Sequence, residues 1–165
     1  MTIVAEHFDT VVGVDTHAAT HTLAVVTAST GAELARAAFP TSPAGLTRAV
    51  AWIQRHGSLR RLVVIEGAGS YGVGLLGRVS AAGMASAEPS AMPARRGVGK
   101  NDDLDAVRIA RSVLAVDVER LRRHRRSKGR GSPPGCWWSP ANRWRPSEPR
   151  STGYIPGLSD PKGFG

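Results

Sequence analysis

Asp15, Glu66, Asp102 and Asp105 are the residues best suited to do chemistry. Asp15 closes the apolar run Val11-Val12-Gly13-Val14, and Glu66 closes Leu62-Val63-Val64-Ile65. A core does not tolerate an unpaired charge, so a carboxylate directly after a strand that reads as buried belongs to a site. Asp102 and Asp105 stand three apart in Lys100-Asn101-Asp102-Asp103-Leu104-Asp105-Ala106. At a helix start that spacing puts both on one face, where the helix dipole favours negative charge. Carboxylates gathered this closely repel one another and raise each other's pKa unless a cation sits among them. Magnesium, a hard ion that prefers oxygen ligands, is the expected occupant. Two such ions about 3.5 to 4 Å apart activate a nucleophile and stabilise the leaving oxygen in phosphodiester cleavage. Taken without its neighbours, the 102–105 cluster reads equally well as a solvated helix start.

The elements that must position these acids follow from hydropathy periodicity. Residues 11–15 read as a first strand, 20–27 as a second and 33–39 as a third, with Ser29-Thr30-Gly31-Ala32 as a turn, which makes an antiparallel meander. Ser42-Pro43 supplies an N-cap and a first-turn proline for a helix through His56, and Gly57 ends it. Residues 62–65 are wholly apolar, as a central parallel strand is. A second helix is predicted over 71–82, a fifth strand over 84–88 and a third helix over 103–115. A hairpin meander followed by alternating helices and strands is an α/β ribonuclease H-like (RuvC-like) order, a mixed sheet with flanking helices. In it, Asp15 lies on the central strand and Glu66 ends the parallel neighbour, so their side chains converge at one sheet edge.

The chain has 165 residues, 22 Lys and Arg against 13 Asp and Glu, and a net charge of +9. That balance favours a polyanionic partner such as nucleic acid. The lone Cys136 excludes an internal disulfide and a zinc cluster, fitting a reducing cytoplasm. No apolar run approaches the roughly 20 residues that a membrane helix needs. Residues 1–118 read as one domain and 119–165 as a basic Gly/Pro/Arg-rich tail, expected to be disordered because little in it can offset the entropy of ordering. Trp137, Trp138 and Trp144 among glycine, proline and arginine suggest a frame change near Ser127 in a GC-rich gene. The other reading is a basic tail whose aromatics stack on nucleic acid.

The ordered motifs Gly13-Val14-Asp15-Thr16-His17, Glu66-Gly67-Ala68-Gly69-Ser70-Tyr71-Gly72 and Lys100-Asn101-Asp102-Asp103-Leu104-Asp105-Ala106 resemble the N-terminal domain of DEDD-type insertion-sequence transposases, over roughly residues 10–125. The resemblance implies a fold shared with Holliday-junction resolvases and a metal-binding tetrad of Asp15, Glu66, Asp102 and Asp105 that serves DNA strand cleavage and transfer. Ala68 and Asn101 stand where the family commonly has hydroxyl residues, which affects fine positioning but removes no carboxylate. The family also implies homo-oligomers, a structured guide RNA and a second domain bearing a serine that acts in strand transfer. Ser127 and Ser132 have no motif that would make either of them that serine. On this reading the chain is a truncated transposase, inactive alone.

Other readings remain open at this level. Gly67, Gly69 and Gly72 form a G-x-G-x-x-G between a strand and a helix, with Glu88 about where a ribose-binding acid lies, which suggests a dinucleotide-binding protein. Against it, the unit does not open the fold, and Glu66 sets negative charge beside a pyrophosphate. A non-catalytic nucleic-acid-binding fragment is the further alternative. Arg95, Arg96 and Lys100 approach the acid pair on a loop and suit a phosphate backbone, or are solvated charge. His17 and His21 either assist the site or face solvent as hairpin polar residues.

Overall fold

The computed structural model describes residues 1–90 and 102–124, with the backbone alone for 102–104. A short helix α1 (Val4–His7) precedes strands β1 (Thr10–Thr16), β2 (Thr20–Thr27) and β3 (Glu33–Pro40). Helix α2 (Pro43–His56), β4 (Arg61–Ile65), α3 (Val73–Ala81), β5 (Ala85–Ala87) and α4 (Asp102–Arg111) follow, and a 3₁₀ turn spans Val118–Arg120. The strands form one sheet in the order β3-β2-β1-β4-β5. β1–β2 and β2–β3 are antiparallel, while β1–β4 and β4–β5 are parallel. This is the ribonuclease H-like mixed sheet expected from the sequence, with β1 at its centre.

Period-two alternation divides β1 between two cores. Val12 and Val14 face α2 and α3, joining Leu46, Ala49, Ile53, Leu75 and Val79. Val11 faces the other way, toward Ala106, Val107, Ile109, Ala110 and Val113 of α4 and its continuation. Gly13 and Asp15 share the parity of Val11 and so lie on the α4 side. At Gly13 the helix comes so close that a Cβ would collide with the Ala106 carbonyl and stand 2.6 Å from Ala110 N. Only glycine lets α4 lie this low on the sheet.

α2 begins and ends where its cap residues require. Ser42 Oγ accepts from Gly45 N at 3.2 Å, Pro43 is the first helical residue, and Gly57 N donates to Ile53 O at 2.9 Å. Two helices are shorter than periodicity predicts. α3 starts at Val73 because Tyr71 and Gly72 are spent in the turn after β4. α4 stops at Arg111 because the carbonyls of Leu114 and Val116 accept from Ala5 N and Val4 N, while Val118 N donates to Thr2 O. Residues 114–118 thus strap α1 against the sheet, joined by an Ile3–Asp117 bridge. The basic run from Arg120 therefore does not continue α4. Of the tail expected over 119–165, the residues from 125 onward lie outside the described residues.

Candidate functional site

The parallel register of β1 and β4 places two acids side by side. Val14 pairs with Ile65, and Glu66 N donates to Val14 O at 3.1 Å, so Asp15 and Glu66 end adjacent strands. Adjacent strands run about 4.8 Å apart. Leu62 and Val64 belong to the α4-side core, and Glu66 continues their parity, so both carboxylates leave the sheet on the same side. Thr16 locks the pair: its Oγ1 donates to Glu66 O at 2.8 Å. Asp15 is buried, at 7 % exposure.

The third acid arrives with α4. Asp105 precedes Ala106, the residue whose carbonyl lies over Gly13, so the first turns of the helix stand above the end of β1. Arg108 Nη1 donates to Asp105 Oδ1 at 3.0 Å across one turn. Asp102 is the first residue of α4, and Asp105 follows one turn later on the same side. The side chain of Asp102, together with Arg95, Arg96 and Lys100, lies outside the described residues.

Electrostatics show that three of the acids share one neighbourhood. The carboxyl of Glu66 is pushed above its ordinary range, first by burial and then by the negative charges of Asp15 and Asp105. His17 and Arg108 pull it partway back. Oxygen donors from three separate segments, each opposing the charge of the others, suit a hard divalent cation. Among the described residues, however, no three His, Cys, Asp or Glu side chains cluster so as to hold one ion.

The two histidines of the hairpin separate. His17 is half-exposed and its Nε2 lies 3.1 Å from Asp15 Oδ2, so it belongs to the site. His21 is 1 % exposed, contrary to the solvent-facing reading. It shares the parity of Leu23 and Val25 on β2 and so faces the α2 core. Burial holds its imidazole below the usual range. A polar Thr-His-Thr triplet gives no sign of this, because burial there is set by the strands on either side.

A family model described as a transposase, the DEDD type of the IS110 group, matches residues 12–128. The chain belongs to that DEDD transposase family. No curated protein matches it. Membership makes DNA the partner of this transposase and fits the ribonuclease H-like sheet. No described helix is long and apolar enough to cross a membrane. Membership also decides against the dinucleotide reading. In this transposase the Gly67–Gly72 turn follows the fourth strand of a sheet opened by a meander, and the Glu88 carboxylate faces His124, its Oε1 3.7 Å from Nδ1. Gly13 and Thr16 stand in the first motif without a role read from it, and Arg108 stands in none; in the structure Thr16 ties the two strand ends, Arg108 holds Asp105 and Gly13 seats α4.

Proposed function

We propose that this chain is the acid-bearing domain of a DNA transposase that cleaves DNA strands with magnesium held by Asp15, Glu66, Asp102 and Asp105. The observation that carries the reading is the register that sets Asp15 and Glu66 on adjacent strand ends, with α4 and its Asp105 seated across Gly13 of the same strand. A divalent cation relieves the repulsion among these acids and draws the carboxylates together. Bound there, such ions supply Lewis-acid activation of the attacking oxygen and charge stabilisation of the leaving one. The chain's own residues do the rest. Thr16 fixes the backbone of Glu66, Arg108 orients Asp105, and His17 orients Asp15. Arg95, Arg96 and Lys100 are proposed to receive the DNA backbone. The domain is taken as residues 1–118 and the basic tail as 119–165. Complete strand transfer is proposed to need, besides these acids, the serine-bearing second domain of the family.

A second reading, nucleic-acid binding without catalysis, is favoured by the net charge of +9. Nicking of supercoiled DNA during a magnesium titration separates the two. Metal-dependent nicking that disappears in Asp15→Ala supports cleavage. DNA binding that is unchanged in the variant, with no nicking by either protein, supports the second reading.

A further inference from the structure

The turn between β4 and α3 is glycine-rich for reasons that the fold explains only in part. Gly67 has φ +62°, and a Cβ on Gly72 would stand 2.9 Å from Ile65 Cγ2 and 3.0 Å from Ala68 Cα. Gly69 has neither constraint, since nothing lies within 4 Å of where its Cβ would stand. Two residues further on, Tyr71 is 62 % exposed. The turn that presents it is braced. Ser70 N and Gly72 N donate to Gly67 O at 2.9 and 3.0 Å, and Ser70 Oγ donates to the same carbonyl at 3.1 Å. Thr16 holds the residue before the turn through Glu66 O. A braced turn of small residues that carries an exposed ring therefore follows one of the acids.

Backbone without side chains admits the close approach of a ligand. A tyrosine offers a flat apolar face that loses little rotamer entropy when covered. Nucleobases are flat and stack on such rings whatever their sequence, and the charge of +9 draws a polyanion to the chain. We propose that Tyr71 is a base-stacking residue, holding an unpaired nucleobase of the DNA beside the acids while Gly69 leaves room for the strand. The proposal rests on DNA being engaged at this site, and it assigns to Tyr71 the register between that base and the phosphate to be cut.

The test uses the complete chain and a short duplex with a single bulged 2-aminopurine, first without metal. Stacking quenches the fluorescence of that base. Quenching is expected with the unaltered chain and with Tyr71→Phe. Tyr71→Ala and Tyr71→Leu are expected to lose it and to bind on the order of 5- to 150-fold more weakly. Their thermal melting is expected to stay unchanged because the ring is exposed. Absence of quenching by the unaltered chain, or full quenching by Tyr71→Ala, overturns the proposal. Affinity restored by Tyr71→Leu also overturns it, because an aliphatic group then suffices and the surface met there is apolar protein. Magnesium is then added to the same unaltered chain on supercoiled DNA. Quenching without nicking removes the cleavage reading and upholds stacking, whereas nicking without quenching does the reverse.

Discussion

Replacing Gly13 with alanine tests whether the low seat of α4 on the sheet is what the site depends on. In an open strand the change is expected to stabilise by about 0.5 to 1 kcal/mol, since glycine loses the most freedom on folding. Here the new methyl would run into the Ala106 carbonyl and lie 2.6 Å from Ala110 N and 3.0 Å from Ala110 Cβ. Two of those three atoms are helix backbone, which no rotamer change can move. Relief requires lifting α4, whose Ala106, Ile109 and Ala110 are fully buried against the sheet. Overpacking of a core costs about 1 to 3 kcal/mol and occasionally more. With backbone as the obstacle the upper end applies, giving a net loss of about 2 to 2.5 kcal/mol out of a total that for such domains is about 5 to 15. Urea denaturation followed by circular dichroism measures it as a fall in midpoint at constant slope. Gly69→Ala, with open space around it, serves as the control and is expected to stay within about 0.5 kcal/mol of the parent. A Gly13→Ala variant as stable as the parent would refute the argument that contact at this glycine sets the height of the helix.

Three further outcomes follow from the site. Asp15→Asn removes one of the charges that hold Glu66 up, so the Glu66 carboxyl should titrate at lower pH in carbon-detected NMR; an unmoved titration means that the two do not share a site. Thr16→Val keeps the branched shape but removes the 2.8 Å bond to Glu66 O, and should lower stability by about 1 kcal/mol in thermal melts while reducing nicking by more than that loss of folded protein explains. His21, held neutral by burial, makes the unfolded chain the stronger proton binder below an ordinary imidazole pKa of about 6.5. The stability it lends is therefore complete above that pH and is lost as pH falls through its lower folded value. His21→Leu should flatten this part of the profile, leaving the share due to His124, which burial lowers in the same sense. An identical acid limb in parent and variant would contradict the assignment.

The frame of the molecule was readable wherever local chemistry and tertiary demand agree. The meander, the Ser42 cap, the Gly57 stop and the apolar β4 all follow from patterns within a few residues, and the structure repeats them within one or two positions. The pairing of Asp15 with Glu66 was legible too, because each ends an apolar strand and parallel neighbours align such ends. What could not be read depends on distant partners. The four-residue α1 is held by carbonyls of Leu114 and Val116, and those same bonds cut α4 short of its hydrophobic pattern. His21 is buried by flanking strands, and Gly13 matters only once a helix from much later in the chain lies across it. Arg95, Arg96 and Lys100 lie outside the described residues.

The lock between Thr16 and Glu66 joins positions 50 apart in the chain, and Asp105 lies further along still. None of these acids is near another in a growing polypeptide until β4 has slotted in beside β1 and α4 has settled across Gly13. During translation, at roughly 5 to 20 residues per second, the emerging protein therefore passes several seconds with its acids scattered. A site assembled this way stays incomplete until α4 docks, and any lesion that keeps that helix from docking leaves it so.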